Sequence, residues 1–162
     1  MSEVGRVRLA KPNDSRRIHD LIQAEFRQFG DYQQYLSEWA EVQGVTTWVV
    51  PSGDELDGFL MGAFMREHNA AAPRAYIIAV SVRHQVRRQG IAQHLMTAFL
   101  QWGRSYGHRL GAKEFALDVA ADNLVAHSFF LSLGFQEAPH QKQNVTRKYP
   151  RGQSVISMTL PI

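Results

Sequence analysis

A basic turn that contains glycine stands directly before a segment with helical periodicity. The turn reads "RRQGIA", from Arg87 to Ala92, and follows the apolar stretch "AYIIAVSV". Free backbone N–H groups at the beginning of a helix attract anions, and glycine lets a phosphate approach the main chain. The guanidinium groups of Arg87 and Arg88 would add charge-assisted hydrogen bonds to phosphate oxygens. These residues predict a phosphate-binding turn; the alternative is a solvated basic turn before an ordinary helix, as short isolated patterns often are.

Other motifs that bind nucleotides or carry out hydrolysis are absent from the sequence. The chain contains no G-x-x-x-x-G-K-[ST], no G-x-G-x-x-G and no G-x-S-x-G, which argues against the common nucleotide folds and against a serine hydrolase. None of its seven histidines forms an H-x-x-x-H pair, and it has no cysteine. We therefore expect no metal site and no disulfide.

Composition favours a single domain over residues 1–162. Of the 162 residues, 44% are apolar and 20% are charged, which is typical of a globular protein with a hydrophobic core. The net charge of +3 suits a small anionic ligand but falls short of the basic face that nucleic-acid-binding proteins usually show. The first residues contain no apolar leader, and no run reaches the ~18 apolar residues of a membrane span. We expect a cytoplasmic protein without membrane or nucleic-acid partners.

Strand-like and helical segments alternate along the chain. The first predicted elements are a strand in "GRVRLAKP", a helix capped by Asn13 or Asp14 and ended by Gly30, and a second helix ended by Gly44. Three strands follow, in "TTWVV", "DGFLMGAFM" and "AYIIAVSV", and then a helix that begins at Ile91 and fades in "GRSYGHRLG". The last elements are a strand in "FALDVA", a helix capped by Asp122 or Asn123 and ended by Gly134, and strands in "GFQEAP" and "SVISMTL". The apolar stripe of the last helix consists of Val125, Ala126, Phe129, Phe130 and Leu133. The order βααβββαβαββ predicts an α/β (α+β) domain.

The turn and its surroundings resemble the Gcn5-related N-acetyltransferase (GNAT) superfamily. Its acetyl-CoA signature, R/Q-x-x-G-x-G/A at a strand-to-helix junction, appears here as Arg87-x-x-Gly90-x-Ala92. A second segment, "LDVAADNLVAHSFFLSLGF", is similar to the family's strand, Asn-capped helix and terminal G-F. Because the order of elements also agrees, the resemblance covers nearly the whole chain. It implies a central, twisted, mostly antiparallel mixed sheet of about seven strands with about four helices, splayed between its fourth and fifth strands.

The resemblance implies acetyl-CoA as cosubstrate and no metal. Backbone groups of Val80 and Val82 would pair with the pantetheine arm, with the Val80 N–H as oxyanion donor. The N–H groups of the turn would hold the pyrophosphate, and Asn123 would contact the arm from the other side. The cofactor-binding residues implied in this way are Val80, Val82, Arg87, Arg88, Gln89, Gly90, Ile91, Ala92, Asn123 and Phe130.

The acceptor implied by the resemblance is a primary amine, of a small molecule or a protein N-terminus, which attacks the acetyl carbon directly. An alkylammonium with a pKa of ~10.4 must first lose a proton. The glutamate base of histone-modifying members falls on Arg74 here, so that base is missing. Tyr76 and Asp118 fall where some N-terminal acetyltransferases place a tyrosine and a histidine that act through water. The alternative is that Tyr76 is an ordinary strand aromatic and Asp118 is satisfied by backbone donors.

Phe130 falls where many relatives carry a general-acid tyrosine. It has no proton to donate, although a leaving thiolate of pKa ~8.5 takes a proton from solvent favourably at neutral pH. A positioned acid is typically worth ~10²- to 10⁴-fold in rate, so slow turnover is one expectation. Two alternatives stay open: a non-catalytic acyl-CoA-binding module on the same fold, and an unrelated α/β domain for another phosphate ligand. The resemblance also leaves a homodimer as an option.

Overall fold

A computed structural model describes residues 5–29, 31–138 and 154–162 of the chain. The strands in this part of the chain are β1 (Arg8–Leu9), β2 (Thr46–Ser52), β3 (Glu55–Met65), β4 (Arg74–Val82), β5 (Glu114–Ala120), β6 (Gln136–Glu137) and β7 (Val155–Pro161). The α-helices are α1 (Ser15–Phe26), α2 (Asp31–Ala40), α3 (Ile91–Leu110) and α4 (Leu124–Ser132). Their order, βααβββαβαββ, is the predicted one. Gly30, the predicted end of the first helix, lies outside the described residues.

The strands form one mixed sheet in the order β1-β2-β3-β4-β5-β7-β6. Every neighbouring pair is antiparallel except β4 and β5, which are parallel. These two strands pair only from Ala75–Phe115 to Ile77–Leu117 and then separate, while each continues toward its carboxyl end. The predicted splay between the fourth and fifth strands is thereby confirmed, and we call the point of separation the fork.

Helices cover both faces of the sheet. Leu95 and Phe99 of α3 pack with Phe130 of α4 in one core cluster, whereas Ile22 of α1 and Leu36 of α2 pack in the other. Burying a leucine or phenylalanine side chain stabilises a fold by roughly 1.5–3 kcal/mol, so these two clusters fix α1 and α3 against the sheet. No helix in the described ranges is apolar over a length sufficient to cross a lipid bilayer.

The third helix is longer than predicted, so the expected fading in "GRSYGHRLG" is wrong. The helix α3 continues through Gly103 and Gly107 to Leu110, and Gly111 with a φ of +73° ends it. Glycine within a helix costs roughly 1 kcal/mol relative to alanine, which is why the pattern indicated an end. A Cβ on Gly103 would lie 2.2 Å from Cε1 of Phe115. The close approach of α3 to β5 therefore requires a glycine there and outweighs its low helix propensity.

The fourth helix differs from prediction in which residues it buries. Val125 is 83% exposed, so its assignment to the apolar stripe is wrong. The helix carries apolar residues around its circumference, and a stripe cannot be recognised when several faces are apolar. Its N-cap is Asn123 rather than Asp122: the Asn123 Oδ1 accepts the Ala126 N–H at 3.1 Å.

A buried ion pair attaches β1 to the beginning of α1. The Asp14 side chain, only 1% exposed, accepts hydrogen bonds from Arg8 at 2.6 and 3.0 Å and from the Lys11 N–H at 2.7 Å. The hydrogen bonds from Arg8 are the main reason why the pKa of Asp14 falls to about 2. Asp14 is the N-cap residue of α1 by position, but its carboxylate serves the strand and the preceding turn.

Candidate functional site

The predicted phosphate-binding turn lies between the end of β4 and the beginning of α3. A short 3-10 turn, His84–Val86, follows β4, and Gly90 is the N-cap of α3. Arg88 has a φ of +64° and Gly90 one of +82°. Left-handed residues of this kind curve the main chain so that successive N–H groups form a concave anion site. A Cβ on Gly90 would meet nothing within 4 Å, so the main chain of the turn is open on this side.

The two arginines of the turn have different surroundings. The Arg87 Nε donates to the Val82 carbonyl oxygen at 3.1 Å, and one of its terminal nitrogens donates to Glu25 of α1 at 2.5 Å. Arg88 is exposed and makes no side-chain hydrogen bond or ion pair to the other described residues. Of the two guanidinium groups, the one on Arg88 is therefore the readily available one.

The main chain of Val80 and Val82 faces the gap beyond the fork. The Arg83 N–H donates to the Asp57 carbonyl oxygen at 2.8 Å on the β3 side. Main-chain groups of successive strand residues point to opposite neighbours, so those of Val82 and Val80 point away from β3. Since β4 no longer pairs with β5 at this level, these groups form an internal strand edge. An extended ligand can hydrogen-bond to such an edge as an added strand would.

Tyr76 and Asp118, predicted from separate strands, meet at the fork. The Tyr76 hydroxyl donates a hydrogen bond to Asp118 Oδ2, and the Ser157 hydroxyl donates to Asp118 Oδ1 at 2.6 Å. Ser157 of β7 is the register partner of Asp118 in the sheet. The carboxylate is thus held at both oxygens by side-chain hydroxyls rather than by the backbone donors of the alternative interpretation.

The charge of Asp118 reaches a neighbouring helix. Burial raises the pKa of the Tyr35 hydroxyl on α2, and the negative charge of Asp118 adds to that rise. No lysine, arginine or histidine of the described residues forms an ion pair with Asp118. The fork therefore combines a carboxylate held at both oxygens with the Tyr76 hydroxyl, an arrangement that can hold an ammonium group or order a water molecule.

Phe130 and Arg74, which stand at the family's general-acid and glutamate-base positions, make contacts that have no part in proton transfer. Phe130 is only 5% exposed, and its ring packs edge-on against Phe129 and Phe135 at centroid distances of 5.3 and 5.8 Å. Arg74, at the place of the family's glutamate base, pairs with Glu67 and lies 3.7 Å from Glu114. Phe130 is thus part of the hydrophobic core, and Arg74 is paired with carboxylates.

Sequence reasoning missed Ser157 and Glu25. Ser157 lies in "SVISMTL", where nothing distinguishes one polar strand position from another, and only the β5–β7 register reveals its partner. Glu25 looks like a solvated charge on an amphipathic helix, yet its side chain is only 9% exposed. Neither residue carries a local signal, because both contacts depend on elements distant in the chain.

A sequence profile described as the acetyltransferase (GNAT) family matches residues 15–135. This range extends from α1 through α4 and contains both the turn and the two strands of the fork. The chain belongs to the GNAT family. The resemblance inferred from the RRQGIA turn is confirmed.

Individual relatives of this GNAT chain are similar over different lengths. An aminoglycoside N(6')-acetyltransferase type 1 from Acinetobacter genomosp. 13 is 36% identical over 66 residues, which are 41% of this chain and 42% of the relative. The chain spans less than half the length of the curated relatives it matches.

Solved structures agree with this GNAT fold over almost the entire chain. Ard1 from Thermoplasma volcanium superposes with a TM-score of 0.72 at 20% identity, covering 99% of each chain. NAA60 from Arabidopsis thaliana, solved in complex with acetyl-CoA, gives a TM-score of 0.67 at 16% identity and covers 96% of this chain and 97% of its own. At such identities the likeness establishes the fold.

Proposed function

We propose that this GNAT-family chain transfers the acetyl group of acetyl-CoA to a primary amine, of a small molecule or of a protein N-terminus. One observation carries the proposal: β4 and β5 separate directly after Ile77–Leu117. The gap opens between the phosphate-binding turn and the Tyr76–Asp118 pair. A thioester bound along the gap would therefore have its phosphates at one end and an acceptor site at the other.

The cofactor-binding part of the proposal uses main-chain groups for most contacts. The N–H groups of residues 87–92 would hold the pyrophosphate, and the exposed Arg88 guanidinium would add charge. The internal edge at Val80 and Val82 would pair with the pantetheine arm, while Asn123 and Phe130 would border it from α4. The open main chain at Gly90 supports this assignment. Acetyl-CoA, when bound, supplies an activated acyl group with a thiolate leaving group.

The acceptor part of the proposal assigns proton handling to the fork. Asp118, oriented by the Tyr76 and Ser157 hydroxyls, would attract the ammonium group and order the water that takes up its proton. The amine nitrogen then attacks the acetyl carbon, the developing oxyanion takes a hydrogen bond from the Val80 N–H, and the carbon–sulfur bond breaks. The departing thiolate takes its proton from solvent because Phe130 has none to give.

A non-catalytic acyl-CoA-binding module is the second candidate function. The buried Phe130 ring, packed between Phe129 and Phe135, favours it, since a general-acid hydroxyl is missing there. This candidate shares the cofactor site with the first and differs only in having no acceptor reaction. It requires CoA binding without turnover.

Calorimetry and a thiol-release assay test both candidates. Titration with CoA, ATP and NAD should show binding of CoA alone, and the combined Arg88→Ala and Gly90→Glu substitutions should abolish it. Acetyl-CoA should then release thiol only when an amine is added, with aminoglycosides and peptides with free N-termini as the first acceptors. Tight CoA binding without amine-dependent release at any pH would instead establish the binding module. Failure of wild-type protein to bind CoA would refute both.

The proposal includes expectations about cellular location, assembly, nucleic-acid partners and metal requirement. A cytoplasmic location, a homodimer, the lack of nucleic-acid partners and metal-independent catalysis all come from the sequence and the family resemblance. Light scattering at two protein concentrations tests the dimer. Undiminished activity after treatment with a chelator tests metal independence.

A further inference from the structure

Glu25 of α1 holds the turn that precedes the phosphate-binding residues. One of its carboxylate oxygens accepts the His84 N–H at 2.8 Å, and the other accepts the Arg87 guanidinium at 2.5 Å. The side chain is only 9% exposed. His84 and Arg87 lie at the beginning and just beyond the end of the His84–Val86 turn, so a single carboxylate fixes the turn at both sides.

The other hydrogen bonds of this turn are local, except that Arg83, its N-cap residue, donates to Glu55 and Asp57 of β3. The Val86 N–H donates to Arg83 at 3.0 Å, and the Arg87 N–H donates to His84 at a long 3.5 Å. The Arg87 Nε reaches back to Val82. Among the hydrogen bonds of the described residues, Glu25 alone connects this turn to a helix on the sheet. Since ionised acceptors form stronger hydrogen bonds than neutral ones, Glu25 is a firm attachment for His84 and Arg87, while the ion pairs of Arg83 hold the preceding residue on β3.

The Glu25 carboxylate is largely shielded from water, with 9% of the side chain exposed. Removing its charge from water is unfavourable unless it is paired and hydrogen-bonded, and Glu25 satisfies this requirement entirely with groups from the turn. The contact therefore constrains both partners: α1 is anchored in its core cluster by Ile18, Leu21 and Ile22, and the turn must remain where the carboxylate is. The packed helix α1 therefore fixes the position of the turn.

We infer that Glu25 is a positioning residue for cosubstrate binding, which rests on the proposed function for the identity of the ligand. It keeps the turn shaped so that the N–H groups after Arg87 face the pyrophosphate. The Arg87 side chain serves this positioning and does not contact phosphate, whereas Arg88 supplies the phosphate-facing charge. The cofactor site therefore extends, through Glu25, into the helix on the opposite face of the sheet.

The alternative role for Glu25, as a group that competes with phosphate for Arg87, predicts the opposite change in CoA affinity. If Glu25 merely occupied Arg87 until a phosphate displaced it, removing the carboxylate would free the guanidinium and tighten CoA binding. A positioning residue must weaken binding when it is removed. The sign of the change in Kd thus separates the two roles.

The test compares Glu25→Ala and Glu25→Gln with Asp20→Asn. Asp20 is an exposed acidic residue of the same helix, so its substitution removes an equal charge without touching the turn. Calorimetry gives the Kd of CoA, and amide hydrogen exchange in the ligand-free protein reports on His84. We expect Glu25→Ala to weaken CoA binding about tenfold, as loss of a charged hydrogen bond does, and to accelerate exchange at His84. Asp20→Asn should change neither.

Glu25→Gln separates the two contacts if the alanine variant folds poorly. Its amide oxygen can still accept the His84 N–H, while its amide group cannot neutralise Arg87. Exchange at His84 should therefore stay slow, and CoA binding should weaken to an intermediate degree. In steady-state assays, the KM for acetyl-CoA should rise while kcat and the KM for the amine stay unchanged, a division that general destabilisation would not produce.

A double-mutant cycle with Arg87→Ala completes the test. Residues that act as one unit are not additive, so Glu25→Ala combined with Arg87→Ala should weaken CoA binding no more than the worse single substitution. Unchanged or tighter CoA binding in Glu25→Ala, or unchanged exchange at His84, would overturn the inference. Wild-type protein that failed to bind CoA would refute the proposed function instead, while the exchange result would still decide whether Glu25 fixes the turn.

Discussion

At the scale of single residues, one unusual conformation lies in the phosphate-binding turn and one unusual set of contacts lies at the fork, while Asn69, in the β3–β4 connection, also has a positive φ. Arg88 adopts a left-handed φ of +64°, which non-glycine residues rarely do and which costs on the order of 1–3 kcal/mol. Asp118 is held at both oxygens by hydroxyls from β4 and β7. Such features persist where the surrounding structure enforces them, and both Arg88 and Asp118 are proposed substrate contacts.

Tyr76→Phe tests proton handling at the fork. The substitution removes one hydroxyl from Asp118 without changing the shape of the strand, and we expect kcat/KM for the amine to fall about 10²-fold. The Kd of CoA should stay at its wild-type value because the turn is untouched. Rates measured from about pH 6 to 9 provide the check. If kcat/KM were unchanged throughout that range, Tyr76 would have no part in the reaction.

At the scale of elements, two glycines inside α3 allow a matched comparison of packing. A Cβ on Gly103 would lie 2.2 Å from the fully buried Phe115 ring, whereas one on Gly107 would lie 3.1 Å from the terminal methyl of Ile162. A terminal methyl can rotate away, but a buried ring cannot. An alanine would therefore gain the same helix propensity at both sites, but the space available for its Cβ differs between them.

Substituting each glycine by alanine should give results of opposite sign. Gly107→Ala should raise the free energy of unfolding by up to ~1 kcal/mol, the gain in helix propensity. Gly103→Ala gains the same propensity but forces α3 from β5, at a cost of ~1–3 kcal/mol, and should lower the free energy of unfolding. Urea titrations of both variants measure the difference. Equal stabilisation at both sites would show that α3 approaches β5 less closely than described.

The ion pair between Arg8 of β1 and Asp14 should make the free energy of unfolding depend on pH in the acidic range. The pKa of Asp14 is lowered to about 2 by its hydrogen bonds from Arg8, so the folded state favours the ionised carboxylate. Its contribution is present above the unfolded-state pKa near 4 and is lost as the pH falls toward 2. Asp14→Asn should therefore lower the free energy of unfolding by roughly 2 kcal/mol at neutral pH, and the two proteins should converge near pH 2. A constant difference at all pH values would contradict this assignment.

At the scale of the whole molecule, the sequence predicted the parts with local signals. Strand alternation, helical stripes and the R-x-x-G-x-A turn were sufficient for the element order and the family resemblance, and the resemblance implied the position of the fork. The course of α3 past Gly103 was mispredicted, since the reason for that glycine is a phenylalanine on β5. Val125 was misassigned because α4 is apolar on several sides. Ser157 and Glu25 could not be found, since their partners are 39 and at least 59 residues away.

Ligand binding should stabilise the whole fold, because a CoA molecule in the gap would contact both β4 and β5. At a CoA concentration about one hundred times Kd, we expect a gain of ~2.7 kcal/mol in the free energy of unfolding. Thermal melts with CoA and with ATP measure this gain, and ATP should have no effect. A rise produced equally by both nucleotides would indicate a general phosphate site instead of a CoA site.

The internal strand edge at Val80 and Val82 has a further consequence for the protein in solution. Unpaired strand edges invite pairing with other chains, and proteins usually protect them at the outside of a sheet. Here such an edge lies in the middle of a seven-stranded sheet, where β5 does not pair with it. The colloidal behaviour of the protein should therefore follow occupancy: ligand-free samples should self-associate on storage, and CoA should keep them monodisperse.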